Sequence, residues 1–502
     1  MTRSRKAALL VLPLILGSAA CTDPELVSPT LDGAAYGLDA SQTSGVSRTG
    51  NLMILGSGGR LPSNLATVVV GMGGRLTTVI PEIGVAFAEP VRDGFEARMR
   101  MLPGIESVAP DFLIDFVPTE ASTRMPLEAV QADAAAEADA EVAGSWDNET
   151  FYSFQWAPGA MQAPEAWAAG HRGQGARVAI LDGAIHRTHI DLAANIDQTH
   201  SRSFIPTTIA NWNWFQDVGT FWHGTHVAGI VAAGLNNVGT VGIAPNATLI
   251  GVKVLHNGSG AFEWILNGII YAAKPIAEGG AGSHVINMSL GATIDVGGNW
   301  NDKGFRDAIR ELQKAYDRGT RYAYQQGVTV IASAGNGETN YDLARNLLKI
   351  PAQNQHVISV SATGPWNWAS GAVDFARPAY YTDHGKSLVD LSAPGGNFGY
   401  PGTELCTVVG SLRIITNPCW AFDGIMSTVR GTSNGNYNWA QGTSMASPAV
   451  AGVAALIIGK NGGPLSPAQV RTRLEQAASD LGEPGKDLWY GHGWVNAYRA
   501  IQ

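Results

Sequence analysis

The chain has 502 residues, more than one domain usually holds, and 45% of them are hydrophobic, ample for a sizeable core. With 33 basic against 42 acidic side chains and a net charge of -9, no Lys/Arg stripe stands ready to neutralise phosphates. That balance excludes nucleic acid as a partner and leaves a mildly acidic soluble surface.

The N-terminus carries Arg3, Arg5 and Lys6, an apolar stretch over residues 7–16, and Gly17-Ser18-Ala19-Ala20 ahead of Cys21. Residues 1–20 read as an export signal, too short to remain as a spanning helix. Small residues directly before a Cys resemble a bacterial lipoprotein signal, with Ser18 where that family usually has Leu. The resemblance implies that Cys21 is acylated and that the membrane is touched only through this lipid. The alternative is an ordinary signal peptide with a Cys there by chance. Residues 21–50, rich in Ser, Thr, Gly and Asp, read as a flexible tether.

Residues 51–116 read as a small α+β unit. Apolar runs at 65–70, 76–80 and 85–88 are expected as strands, a helix is expected over 95–101, and a last strand at 105–108. Residues 117–150 turn Ala-rich and acidic, with Glu128, Asp133, Glu137, Asp139 and Glu141, a composition that leaves the chain open to proteolysis. From 151 to 502, short apolar runs at 178–181, 249–254, 285–288, 328–332, 357–360 and 389–391 alternate with helical patterns. This predicts an α/β layer with a mostly parallel sheet. Ser466-Pro467 reads as a helix start, with Ser as cap and Pro at the first position. Cys406 and Cys419, a close pair in an exported chain, are expected to form a disulfide worth roughly 3 kcal/mol in the chain-entropy model. No Cys-x-x-Cys or His cluster at zinc spacing appears, so metal or thiol chemistry is not expected.

The most informative segment is Gly442-Thr443-Ser444-Met445-Ala446-Ser447-Pro448, a serine opening an Ala/Val-rich helix among small residues that let a substrate backbone approach. Upstream stand His223-Gly224-Thr225-His226 and, after an apolar strand, Asp182. Asp, His and Ser in this order belong to subtilisin-type triads, not to those of chymotrypsin or the α/β-hydrolases. On these motifs residues 151–502 resemble a subtilisin-family serine protease.

The resemblance implies a three-layer subtilisin-like fold, with residues 51–116 as a ferredoxin-like propeptide that inhibits the protease intramolecularly and is cut off within 117–150. It assigns Ser444 as nucleophile, His223 as general base with His226 as a decoy, and Asp182 as the carboxylate that orients the base. Asn336, with the Ser444 N–H, would bind the oxyanion. Gly258-Ser259-Gly260 and Ser289-Leu290-Gly291 would pair with an extended protein or peptide substrate. Catalysis would need no cofactor. A structural calcium is expected at Asp191, Asn236 and the carbonyls of Gly234, Val238 and Thr240. The implied protein is an exported monomer. Its precursor would be anchored at Cys21, and its mature form extracellular or periplasmic.

Two departures stand out. Gly183-Ala184 follow Asp182 where the family usually has Ser or Thr and then Gly, so a hydroxyl beside the triad carboxylate is missing. Extra length lies between Gly291 and Asn336 and between Gly395 and Gly442. A catalytically impaired binding protein on the same scaffold is one rival reading. An esterase is another, with Ser433 in Gly431-Thr432-Ser433-Asn434-Gly435 followed by Asp487 and His492; the turn-forming run after Ser433 argues against that elbow.

Overall fold

The computed structural model describes residues 46–116, 130–131, 145–219, 221–297, 303–399, 401–431 and 433–502. The signal, most of the tether, Cys21 and most of the acidic linker lie outside these residues. The N-terminal unit runs β1 (Val46–Gly56), α1 (Leu65–Gly71), β2 (Gly74–Ile80), β3 (Val85–Pro90), α2 (Phe95–Arg100) and β4 (Ile105–Asp115). A two-residue strand β5 (Val130–Gln131) follows, then α3 (Trp156–Ala160), α4 (Ala163–Ala168), β6 (Arg177–Asp182), β7 (Arg202–Ser203), α5 (Phe221–Ala232), β8 (Thr248–Lys253) and β9 (Ser259–Ala261). The chain continues through α6 (Phe262–Ala273), β10 (Val285–Met288), β11 (Ala292–Asp295), α7 (Lys303–Gln325), β12 (Thr329–Ser333), β13 (Leu347–Ile350), β14 (Val357–Thr363) and β15 (Leu391–Pro394). It ends with β16 (Leu405–Val409), β17 (Ile414–Pro418), β18 (Ile425–Val429), β19 (Asn436–Ala440), α8 (Thr443–Asn461) and α9 (Pro467–Ala477).

The centre is a seven-stranded parallel sheet in the order β15-β14-β12-β10-β6-β8-β7. Its strands read as continuous apolar runs because helices cover both faces. Val178 and Ile180 of β6 pack on the side of α5, α8 and α9, whereas Ala179 and Leu181 face α6 and α7. The amphipathic α7 buries Phe305, Ile309, Leu312, Tyr316 and Ala323, spacings that keep one stripe inward. Helix α8 is long and apolar enough to cross a membrane by length and composition, yet it is enclosed by α5 and the sheet. The subtilisin-like three-layer fold expected from the motifs is therefore present. The Ser466 cap also forms, its hydroxyl accepting the Gln469 N–H in a reciprocal capping box.

The N-terminal unit differs from expectation at two places. Residues Leu65–Gly71 form a helix, not a strand, because Leu65 and Val69, one turn apart, are the positions that reach the core while Val70 is 69% exposed. Strand β1 begins at Val46, inside the stretch read as tether, and pairs with both β3 and β4. Two shifts concern the rest of the chain. Val130–Gln131, in the stretch read as an open linker, pairs antiparallel with β19. Packing of the large domain starts before residue 151, with Trp146 tilted against Trp167 at 5.8 Å and Glu149 fully buried.

Cys406 and Cys419 are joined by a disulfide across the β16–β17 hairpin, within the extra length between Gly395 and Gly442. The stretch between Gly291 and Asn336 holds β11, α7 and β12.

Candidate active site

Three elements bring the motif residues to the carboxyl edge of the sheet, where open α/β folds place their sites. Asp182 ends β6, His223 lies in the first turn of α5, and Ser444 is the second residue of α8. His223 Nδ1 stands 3.0 Å and 2.9 Å from the two Asp182 carboxylate oxygens, with both side chains almost wholly buried. The Asp182 carboxylate also accepts the Gly183 N–H at 2.7 Å. His226, one turn along, faces away from this pair and donates through Nε2 to the carbonyls of Ile425 and Asn438. Burial holds it neutral by lowering its pKa to about 3.

Ser444 is tied to the segment Ser289-Leu290-Gly291 from both directions. Its hydroxyl donates to the Ser289 carbonyl at 3.2 Å, and the Ser289 hydroxyl donates to the Ser444 carbonyl at 2.8 Å. The second bond follows from Pro448, which has no N–H to give the carbonyl four residues earlier and so leaves it free for another donor. Asn287 supports Ser289 through Nδ2 at 2.9 Å and accepts the Ser447 hydroxyl at 2.6 Å. Asn287 and Ser447 were missed in the sequence; the signal was Pro448 standing one turn after the serine.

Asn336 Oδ1 accepts both the N–H and the hydroxyl of Thr443, at 2.9 Å and 2.8 Å, which fixes the direction of its amide. Its Nδ2 then faces the space left open by Gly442. A Cβ placed on Gly442 would lie 3.4 Å from Asn336 Nδ2 and 3.6 Å from the Ser444 nitrogen. Gly442 has φ of 150°, in the region that favours glycine, so the space stays clear for a small ligand atom between two donors.

Gly258-Ser259-Gly260 and Ser289-Leu290-Gly291 flank a slot that residues 113–116 of the same chain fill. Strand β4 pairs antiparallel with β9, with Leu113, Ile114 and Asp115 opposite Ala261, Gly260 and Ser259. Phe116 then donates its N–H to the Gly258 carbonyl at 3.0 Å and accepts the Gly291 N–H at 3.3 Å. The Phe116 ring is buried against the edge of Phe262, at 6.1 Å between centroids. Leu290 is buried in the hydrophobic cluster that also holds Phe116 and Phe262.

The residues expected to hold calcium share one hydrogen-bonded cluster. Asp191 accepts the N–H and hydroxyl of Thr240 and the side-chain amide of Asn236, while Asn236 Oδ1 accepts the Val238 N–H. The Gly234 N–H donates to the Asp191 carbonyl at 3.0 Å. Glu149 joins this cluster by accepting the N–H groups of Asn236 and Asn237. Burial raises the pKa of Asp191 well above the usual carboxylate range, and that of Glu149 to about 7. Among the described residues no group of three or more His, Cys, Asp or Glu stands ready for a metal.

The esterase reading fails on geometry. The Ser433 hydroxyl donates to Asn436 Oδ1 at 2.9 Å, and the chain runs on into β19, not into a helix. Asp487 is engaged by the N–H groups of Trp489 and Tyr490, and the ring of His492 lies 3.8 Å from Glu475.

A parallel α/β layer that carries an Asp–His pair and a helix-borne serine at one sheet edge defines a class of serine hydrolase. Residues 173–493 match the subtilase family, and the chain belongs to it as a subtilisin-family serine endopeptidase. It is 33% identical to subtilisin E of Bacillus subtilis (strain 168) over 68% of this chain and 70% of the relative. It is 31% identical to thermitase of Thermoactinomyces vulgaris over 70% of this chain and 97% of the relative. Among solved structures, the epidermin leader peptide processing serine protease of Staphylococcus aureus shares the fold with a TM-score of 0.66 at 20% identity, over 90% of this chain and 97% of that one. Fervidolysin of Fervidobacterium pennivorans gives a TM-score of 0.63 at 22% identity, over 92% of this chain and 62% of that one.

Proposed function

We propose that this subtilase is made as a self-processing zymogen that hydrolyses proteins through Asp182, His223 and Ser444. The Asp182 carboxylate takes the proton-bearing Nδ1 of His223, so Nε2 is left with its lone pair to accept the Ser444 proton. Ser444 Oγ adds to the scissile carbonyl. The developing oxyanion enters the space beside Gly442, where Asn336 Nδ2 and the Ser444 N–H donate to it. The imidazolium passes its proton to the leaving amine, and water repeats the sequence on the acyl-enzyme. Ser444 sits at the N-terminus of α8, whose dipole favours the negative charge formed there.

Residues 46–116 act as the inhibitory propeptide, and the observation that carries this reading is Phe116 seated between Gly258 and Gly291. An extended segment pairs there by backbone, as a substrate would, and the chain beyond it is the acidic linker in which processing occurs. Export through residues 1–20 and lipidation of Cys21 complete the proposal. Processing would then release the catalytic part from the membrane.

The test is Ser444→Ala. The variant is expected to accumulate as full-length precursor in the membrane fraction, with casein turnover lower by roughly 10⁶-fold. Wild-type enzyme is expected as a processed soluble form, labelled at Ser444 by a fluorophosphonate. A processed or active Ser444→Ala protein would sink the assignment.

A further inference from the structure

Asp182 has a neighbour that neither its motif nor its sequence spacing announces. It lies at the end of β6 opposite Lys253, the last residue of β8, so their side chains share one face of the sheet. Lys253 is fully buried. An ammonium group enters such a place only with anions to receive it. Its Nζ stands 3.0 Å from Asp217 Oδ2 and donates to the Gln216 carbonyl at 2.7 Å. Desolvation lowers its proton affinity, and the charges of Asp217 and then Asp182 restore part of it.

Asp217 is held as firmly. Its Oδ1 accepts the N–H groups of Val218 and Asn257 at 2.8 Å and 3.0 Å, and His256 Nδ1 stands 3.2 Å away. Burial alone would push the Asp217 carboxyl up, but the hydrogen bond with His256 and the charge of Lys253 bring it below the usual carboxylate range. Asp217 also accounts for the departure at Gly183. A Cβ on Gly183 would lie 2.7 Å from Asp217 Oδ2, the oxygen that pairs with Lys253, so a side chain there would press on the ion pair. The ion pair thus borders the place beside Asp182 where a Ser or Thr side chain would stand.

We propose that Lys253 and Asp217 are positioning residues: Lys253 supports the Asp182 carboxylate in place of the missing hydroxyl, and Asp217 balances its charge so that His223 can still give up its proton. The inference rests on the triad reading above. The titratable groups around the pair are Asp182 from β6, with His223 of α5 on its carboxylate, and His256 from the turn after β8.

The pair makes opposite demands on its two members, which a purely structural role would not. The test is the pH profile of kcat/KM with a peptide substrate on processed enzyme, with rates normalised to active sites titrated by a fluorophosphonate. Lys253→Met leaves Asp217 unbalanced behind Asp182 and is expected to move the acidic limb, which reports His223, upward. Asp217→Asn leaves Lys253 unbalanced and is expected to move it downward. Each shift should be on the order of one pH unit, the size expected of a unit charge acting through an effective dielectric of about 20. The double variant should return the limb close to wild type.

Unmoved limbs in both single variants, or shifts of the same sign, would overturn the proposal even if turnover fell. If Lys253→Met fails to accumulate, the isosteric Asp217→Asn decides alone: a downward shift supports the pair, and no shift or an upward one overturns it. Failure of the triad reading looks different, since wild-type enzyme would then not be labelled at Ser444 at all.

Discussion

The two largest sheets among the described residues are stabilised in different ways. Both faces of the central parallel sheet are covered by helices of its own domain. The five-stranded sheet β2-β3-β1-β4-β9 has only one face covered by its own unit, where Leu52, Ile54, Ala86, Ala88 and Val108 meet α1 and α2. Its other face, with Met53, Leu55, Phe87, Phe112 and Ile114, packs into the cluster built by α6 and α7. Even its last strand, β9, belongs to the catalytic part. Residues 46–116 are small for an independent core, and what they lack the protease supplies. Charged contacts follow the same boundary: Lys274 pairs with Glu82 at 2.6 Å and Arg318 with Glu106 at 2.6 Å. The N-terminal unit fits α6, α7 and the slot at once, so under the zymogen proposal docking and blocking the site would come from the same strand.

The severest way to break this comparison is to separate the halves. A chain starting at Ser145 is expected to refold at least about tenfold less efficiently, a barrier difference of ~1.4 kcal/mol, and to recover when residues 46–116 are added in trans. Refolding yield counted by fluorophosphonate labelling measures this. Equal yields with and without the added unit would show that the dependence is not mutual.

A finer cut is Phe112→Ala, on the shared face. The ring packs edge-on against Phe305 of α7 at 5.4 Å, and its loss should weaken inhibition in trans by about 3–5 kcal/mol while leaving the thermal stability of the processed enzyme unchanged. An unaltered inhibition constant would mean that the shared cluster contributes little to docking.

The gentlest probe is pH. Asp111 of β4 caps the start of α6 by accepting the Glu263 N–H at 3.3 Å, and its other oxygen takes the Thr49 hydroxyl at 2.9 Å. Glu263 receives the Asn51 side chain at 2.9 Å and the hydroxyls of Thr77 and Thr78, while Tyr316 is the other titratable group beside Asp111. Burial and then the charge of Glu263 raise Asp111 well above the usual carboxylate range, and burial also raises Glu263. Carboxyls that hold protons more tightly when docked favour docking at low pH. Their contribution is complete below the ordinary carboxylate value of about 4 and is lost as pH rises through the docked-state values. Inhibition in trans should therefore weaken as pH is raised, by up to about tenfold per pH unit for each proton released. Glu263→Gln should flatten the dependence. An inhibition constant equally flat in the parent would remove these carboxyls from the account of propeptide release.

The sequence was most legible where chemistry demands particular residue types at close spacing. His223 with His226, Ser444 with Gly442 and Pro448, and the Ser466-Pro467 helix start are local patterns whose meaning survives any packing. So is the run of β-rich segments alternating with helical ones, because a sheet buried on both faces needs apolar strands throughout. The Cys406–Cys419 pair was legible for a similar reason, being two thiols a short loop apart.

Other features depended on partners distant in sequence. Leu65–Gly71 has the composition of a strand, and only its place across the sheet from Val108 makes it a helix. The loop around Asp191 carries cation-binding residue types, and Glu149, from far outside the loop, accepts the N–H groups of Asn236 and Asn237 there. Asn287, Lys253 and Asp217 carry no motif at all. What places them beside Ser444 and Asp182 is the register of parallel strands and the burial of a charge that must find its counter-ion, and a linear sequence records neither.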